Sequence, residues 1–337
     1  MNRLLFALLT LLVSSTKALA QQPVSTTAAS DIKGIHHVSL SVRDLDRAVL
    51  FYTGTIGLTE VSRSRIINKV PVEKESGIGH VARNVVLLRG PNGQIELDQF
   101  DGVADKPVCA MPVQGPGITH VCYQAPAASG LYAKSKASGG SIVSRGSVPV
   151  DRGYGIQYAY AKDPDGMLYE LEQLDKPPFA ESVWMGHIAL ATPDIDRLVA
   201  FYTKLLGVKP HNRIDNIRNS PKLDDIANVD SLKLRVAWFK TGNMVVEIWQ
   251  FDNPPTRQPD SPPPYTQIGY TKISFEVSNL DREYRRLRAA GLTFLSPPVL
   301  FAGSPAVFLR DPDGNLLSLE ELPTTAPTSI TRLKRLD

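Results

Sequence analysis

Cysteine is almost missing from this chain: Cys109 and Cys122 are the only two among 337 residues. Two thiols permit one bridge but no disulfide framework, and their spacing matches neither a zinc-ligand pair nor a redox pair. A dominant charge sign is missing as well. Lys and Arg total 37 against 34 Asp and Glu, scattered through the sequence, so no basic stripe offers a nucleic acid a partner surface. Nor is there a long hydrophobic run. Leu4 to Val13 is about half the ~20 residues a bilayer span needs. That run follows Met1-Asn2-Arg3 and precedes Ala18-Leu19-Ala20, the pattern of a cleaved secretory signal over residues 1–20. The mature chain is therefore expected to be secreted or periplasmic and free of the membrane. No Cys follows the cleavage point to carry a lipid.

What is present is a repeat. From His37 the chain reads HVSLSVRDLDRAVLFYTGTIGL, and from His187 it reads HIALATPDIDRLVAFYTKLLGV. About ten of these twenty-two positions are identical, well above chance. Asp163 opens DPDGMLYELEQL and Asp311 opens DPDGNLLSLEEL. Two homologous modules are thus expected over 32–175 and 184–323. They are joined through the Pro-rich Asp175-Lys176-Pro177-Pro178 and followed by a loose polar tail, 324–337.

Within the first module, Val38, Leu40 and Val42 alternate with His37, Ser39 and Ser41 as a strand does. Asp44 then caps a helix carrying Leu45, Ala48, Val49 and Tyr52, which Gly57 ends. Strands follow over Val81 to Arg89 and Gln94 to Phe100, around the turn Pro91-Asn92-Gly93. The same order recurs from Gly117: a strand, a helix over Leu131 to Ala137, then strands over Ile156 to Ala161 and Met167 to Gln173. The fold class read from this is α+β, with four βαβββ units and open, cup-shaped sheets.

Four side chains with lone pairs fall at equivalent places in the two units of module one. His37 and His120 stand on the first strands, Glu96 and Glu170 on the last. Pairing those units by a two-fold axis would bring the four to one point. Two imidazoles and two carboxylates suit one divalent transition metal (Ni, Co, Mn, Fe or Zn) better than calcium or magnesium. His36 precedes His37 and is expected on the opposite face. His80, after Gly77-Ile78-Gly79, reads as a loop residue near the cup mouth.

These openings and DPDG endings resemble the vicinal oxygen chelate superfamily, which includes glyoxalase I, methylmalonyl-CoA epimerase, extradiol dioxygenases and bleomycin-resistance proteins. The resemblance covers nearly all of residues 34–322. It implies that His37, Glu96, His120 and Glu170 bind the metal, a set similar to that of bacterial glyoxalase I. In module two, His187 and Glu247 hold the matching places, but Lys272 and Ser318 replace the other two. An ammonium offers no lone pair, so that cup is expected to lack metal, with Lys272 paired to Glu247.

The resemblance implies a metal that chelates adjacent oxygens of a small organic substrate and stabilises an enolate. Glu170 or Glu96 would then carry the proton, which is isomerase, epimerase or lyase chemistry. The rival is extradiol ring cleavage by iron on His37, His120 and Glu170, with Tyr160 nearby. A ligand-sequestering protein is the third reading. The residues leave open whether the modules pair within a monomer or across a homodimer. N-terminal sequencing of protein from its native host should begin at or near Gln21, and recovery of Met1 would overturn the export reading.

Overall fold

The computed structural model describes residues 29–67, 81–103, 108, 111–180, 183–258 and 260–336. The expected signal segment, with the cleavage position expected near Gln21, and also His80 and Cys109, lie outside these. Cys122 is buried with a free thiol.

Four units follow one another. The first holds β1 (Ile32–Ser41), α1 (Leu45–Phe51), β2 (Thr59–Ile66), β3 (Arg83–Arg89) and β4 (Gln94–Phe100). The second holds β5 (Gly117–Pro126), α2 (Leu131–Ala137), the short β6 (Ser141–Ile142) and β7 (Val150–Asp151), then β8 (Ile156–Lys162) and β9 (Leu168–Leu174). The third holds β10 (Trp184–Ala191), α3 (Ile195–Leu206), β11 (Asn212–Ile217), α4 (Pro221–Ala227), β12 (Lys233–Lys240) and β13 (Val245–Asn253). The fourth holds β14 (Gly269–Val277), α5 (Leu280–Ala289), β15 (Val299–Phe301), β16 (Ser304–Arg310) and β17 (Leu316–Glu321). The repeated Asp-x-x-Arg explains the helix starts: Asp44 accepts from the Arg47 N–H and Asp194 from the Arg197 N–H. Gly57 and Gly207, both at positive φ, close the two segments.

The strands form two curled sheets, and neither belongs to one module. One sheet has the order β15-β16-β17-β14-β1-β4-β3-β2 and the other β11-β12-β13-β10-β5-β9-β8-β6. The joins are antiparallel pairs of first strands, β1 with β14 and β5 with β10. Unit one is therefore completed by unit four, giving an outer cup, and unit two by unit three, giving an inner cup. This corrects the expected convergence of units one and two.

What holds units one and two together is a different contact, made by the repeated motifs. Tyr52 donates its hydroxyl to Asp163, and Asp165 accepts from the Arg43 N–H and pairs with Arg47. Asp163 also accepts from the N–H groups of Asp165 and Met167, closing the DPDG turn. In module two, Tyr202 meets Asp311 at 3.4 Å and Arg197 pairs with Asp313. The repeated FYT and DPDG segments are thus a clamp between units.

A second clamp ties the sheets. Asn92, in the β3–β4 turn, donates to the carbonyls of Met185 and Asn243 and accepts from the Met185 N–H. Asn243, in the β12–β13 turn, donates to the carbonyls of Ile35 and Asn92 and accepts from the Ile35 N–H. Both amides are buried. The segment after Pro323, expected to be loose, is instead docked. Ser329 and Ile330 are buried, Ile330–Arg332 forms a helical turn, and Glu276 accepts from the Ser329 hydroxyl and the Ile330 N–H. Polar composition hid this because its anchors are hydrogen bonds rather than an apolar stripe. Asn243→Ala would orphan buried backbone groups on β1 and should lower stability by roughly 2–4 kcal/mol. The measurement is a lower urea midpoint at unchanged slope, and an unshifted midpoint would remove the clamp's role.

Candidate active site

In the inner cup, β5 supplies His120, β9 Glu170, β10 His187 and β13 Glu247. Parallel pairing of β10 with β13 sets Ala189 opposite Glu247, and of β5 with β9 sets Cys122 opposite Glu170. Each carboxylate thus stands two positions further along its pairing than the histidine of the same unit. One ligating atom from each of the four lies within 4.8 Å of the others, and all four residues are buried. His187 Nε2 is 2.9 Å from Glu170 Oε2 and 3.1 Å from Glu247 Oε2; His120 Nε2 is 3.5 Å from Glu170 Oε2.

Neither imidazole Nε2 makes a well-directed hydrogen bond, although both are buried. Such atoms are costly unless something else occupies their lone pairs. The Thr119 hydroxyl lies 2.9 Å from His120 Nδ1 and donates to the Ala189 carbonyl at 3.3 Å. It therefore accepts at His120, which puts the ring proton on Nδ1 and leaves the Nε2 lone pair facing inward. Glu247 is held at both oxygens: Trp238 Nε1 donates to Oε1 and Trp249 Nε1 to Oε2, each at 2.6 Å. This donor set fits a divalent metal ion. Burial opposes ionisation of Glu170, but the close His120 and His187 imidazoles outweigh it and hold the carboxyl down at about 2. Burial and the neighbouring Glu170 push the Glu172 carboxyl up to about 7, and Gln124 donates to it at 2.6 Å.

Above these residues opens a cavity of about 430 Å³. Tyr158, Tyr160, Trp238, Trp249 and Phe251 line it, with Leu223, Ile226, Leu232 and Leu234 on the α4 side. Arg152, His211 and Lys240 also face it.

The outer cup holds the other half of the expected ligand set. His37 Nε2 lies 3.4 Å from Glu96 Oε1, but Lys272 Nζ stands 3.6 Å from the same oxygen and 3.6 Å from Glu320. His37 and Glu96 are thus not brought to His120 and Glu170, because β1 pairs with β14 and not with β5. Lys272 is paired with Glu96 and Glu320, not with Glu247 as expected, for the same reason. Its ammonium survives burial because those carboxylates flank it. Ser318 donates to Glu320, 2.9 Å away. His36 was expected on the far face, yet its Nδ1 is 2.7 Å from His37 Nδ1 and 3.6 Å from Glu320. A register shift between Ile35 and His37 breaks the alternation and turns both rings to one side.

By sequence, His187 and Glu247 fall in a cup with Lys272 and Ser318 at its other two ligand positions. Thr119, Trp238, Trp249 and Glu172 carry no signal in the ligand pattern. Residues beside a ligand on its own strand, such as Thr119, could have been found by asking what orients each imidazole. Trp238 could not, since it reaches Glu247 from a neighbouring strand.

The sequence profile of the Glyoxalase/Bleomycin resistance protein/Dioxygenase superfamily matches residues 34–171 and 184–319. A lactoylglutathione lyase of Arabidopsis thaliana is 33% identical over 182 residues, 53% of this chain and 56% of that protein. The chain thus spans about half the length of that relative. An ethylmalonyl-CoA/methylmalonyl-CoA epimerase of Cereibacter sphaeroides is 27% identical over 143 residues, 42% of this chain and 97% of the epimerase. Among solved structures, glyoxalase I from Zea mays shares the fold with a TM-score of 0.59 at 22% identity, covering 86% of this chain and 92% of that one. Elemental analysis should find one divalent ion per chain, lost in His120→Ala and His187→Ala and kept in His37→Ala. Two ions per chain, or loss through His37→Ala, would overturn the assignment to the inner cup.

Proposed function

We propose that this chain, which belongs to the Glyoxalase/Bleomycin resistance protein/Dioxygenase superfamily, is a metal-dependent lyase or isomerase acting on a small oxygenated substrate in its inner cup. The observation that carries this reading is the convergence of two imidazoles and two carboxylates, His120, Glu170, His187 and Glu247, with ligating atoms within 4.8 Å of one another, whereas Lys272 stands between the carboxylates of the other cup. The named activities of the relatives, lactoylglutathione lyase and acyl-CoA epimerase, support it. A divalent metal held by these four residues would leave about two positions for adjacent substrate oxygens and stabilise charge developing on them.

The chain's own residues divide the remaining work. Thr119 keeps His120 in the tautomer that presents Nε2. Trp238 and Trp249 fix Glu247 at both oxygens, so it is the less mobile carboxylate. Glu170 is held by no such pair of indole donors and faces the two imidazoles. It is the group placed to take a proton from one carbon and return it to the next. The aromatic and aliphatic walls exclude water from that transfer. Ring cleavage with dioxygen would need a further open position, and the doubly held Glu247 argues against freeing one.

Metal-loaded protein should act under argon. With lactoylglutathione or methylmalonyl-CoA in deuterated water it should place deuterium on the carbon being deprotonated. Glu170→Gln keeps an oxygen for the metal but loses the base, so exchange should fall about 100-fold or more while metal content holds. Turnover that requires dioxygen, or exchange indifferent to Glu170→Gln, would overturn the proposal.

A further inference from the structure

The segment that follows unit four visits both cups. Thr328 lines the outer cavity, and its carbonyl accepts from Gln94 Nε2 at 2.9 Å and lies 3.0 Å from His36 Nε2. Arg89 donates to the carbonyl of Pro327. Past the anchor on Glu276, the Lys334 N–H donates to the Pro91 carbonyl at 2.9 Å and the Leu336 N–H to the Gly242 carbonyl at 2.8 Å. Gly242 sits in the β12–β13 turn at φ +90, and a Cβ there would run into the Arg335 guanidinium. The chain therefore lies directly on that turn, and Leu336 lines the inner cavity together with Lys240 and Val245 from the strands on either side of the turn.

This wall is not part of the repeat. The α4 side of the cavity is made by unit three itself, whereas Leu336 arrives from beyond unit four, held by backbone hydrogen bonds at two points. Val245 is the register partner of His187, so Leu336 closes the cavity on the His187 side, toward the turn. We infer that Leu336 is a specificity-determining residue of the inner cup, limiting how far an apolar substituent of an oxygen-chelating ligand extends past His187. The inference rests on the metal-site reading above and adds the shape of ligand that site accepts. Such a ligand has its oxygen pair at the four-residue floor and an apolar chain of limited length running toward the β12–β13 turn.

The test uses nickel-loaded full-length protein and alkyl hydroxamates of increasing chain length, which chelate through two adjacent oxygens, with binding followed by calorimetry. In the unsubstituted protein, affinity should rise about fourfold per buried methylene and then break where the chain meets Leu336. Leu336→Ala should move the break to longer chains and Leu336→Trp to shorter ones. Deletion of residues 334–337 should act as Leu336→Ala does. A break at the same length in all these proteins overturns the inference while leaving the metal site intact. Absence of hydroxamate binding to the nickel-loaded unsubstituted protein overturns the metal reading, and the inference with it.

Discussion

The antiparallel pairing of first strands across the modules is the constraint on which the remaining structure depends. Each first strand is flanked on one side by the last strand of its own unit and on the other by the first strand of a unit from the other module. A cup therefore receives one histidine position and one carboxylate position from each module. Once β5 lies against β10, the meeting of His120 and Glu170 with His187 and Glu247 follows from register alone. The FYT and DPDG contacts and the reciprocal Asn92–Asn243 pair serve this arrangement by holding the two half-modules and the two sheets in place.

The same backbone carries two different solutions to a buried cluster of charge. In the inner cup, two carboxylates face two imidazoles with their ligating atoms within 4.8 Å of one another, which suits an added dication. In the outer cup, Lys272 brings its own cation to that place, with Glu96 and Glu320 at equal distance and Ser318 hydrogen-bonded to Glu320. Nearby, Arg83 is buried against Asp98 at 2.6 Å, with its guanidinium over the rings of Phe100, Tyr265 and Phe301. Burial and Glu96 push the Asp98 carboxyl up to about 7. A cup whose charges are already matched internally has little to offer a metal, and desolvating them without such partners would cost several kcal/mol per ion.

The order of strands and helices was legible because its causes are local: alternation in β1, the Asp44 and Asp194 caps, and glycines at Gly57 and Gly207. The residue types of the site were legible too, since His and Glu recur at fixed places in each unit. Their grouping was not. Pairing unit one with two, or unit two with three, both yield one complete set and one set spoiled by Lys272 and Ser318, so residue counting cannot choose. That choice lives in contacts between residues sixty or more apart in the chain, β5 with β10, about which composition and spacing are silent. His36 failed for a smaller reason of the same kind: a one-residue bulge resets which face a side chain takes.

The crossing of the strands has a consequence for the first module taken alone. Its β1 is the counterpart of β10 and its β5 the counterpart of β14. Two copies of residues 32–175 can therefore satisfy, between them, both joins that the intact chain makes within itself. Each of the two cups so formed would draw His37 and Glu96 from one copy and His120 and Glu170 from the other, with no lysine intruding. A chain with one complete ligand set thus contains, in its first half, the parts for a symmetric dimer with two.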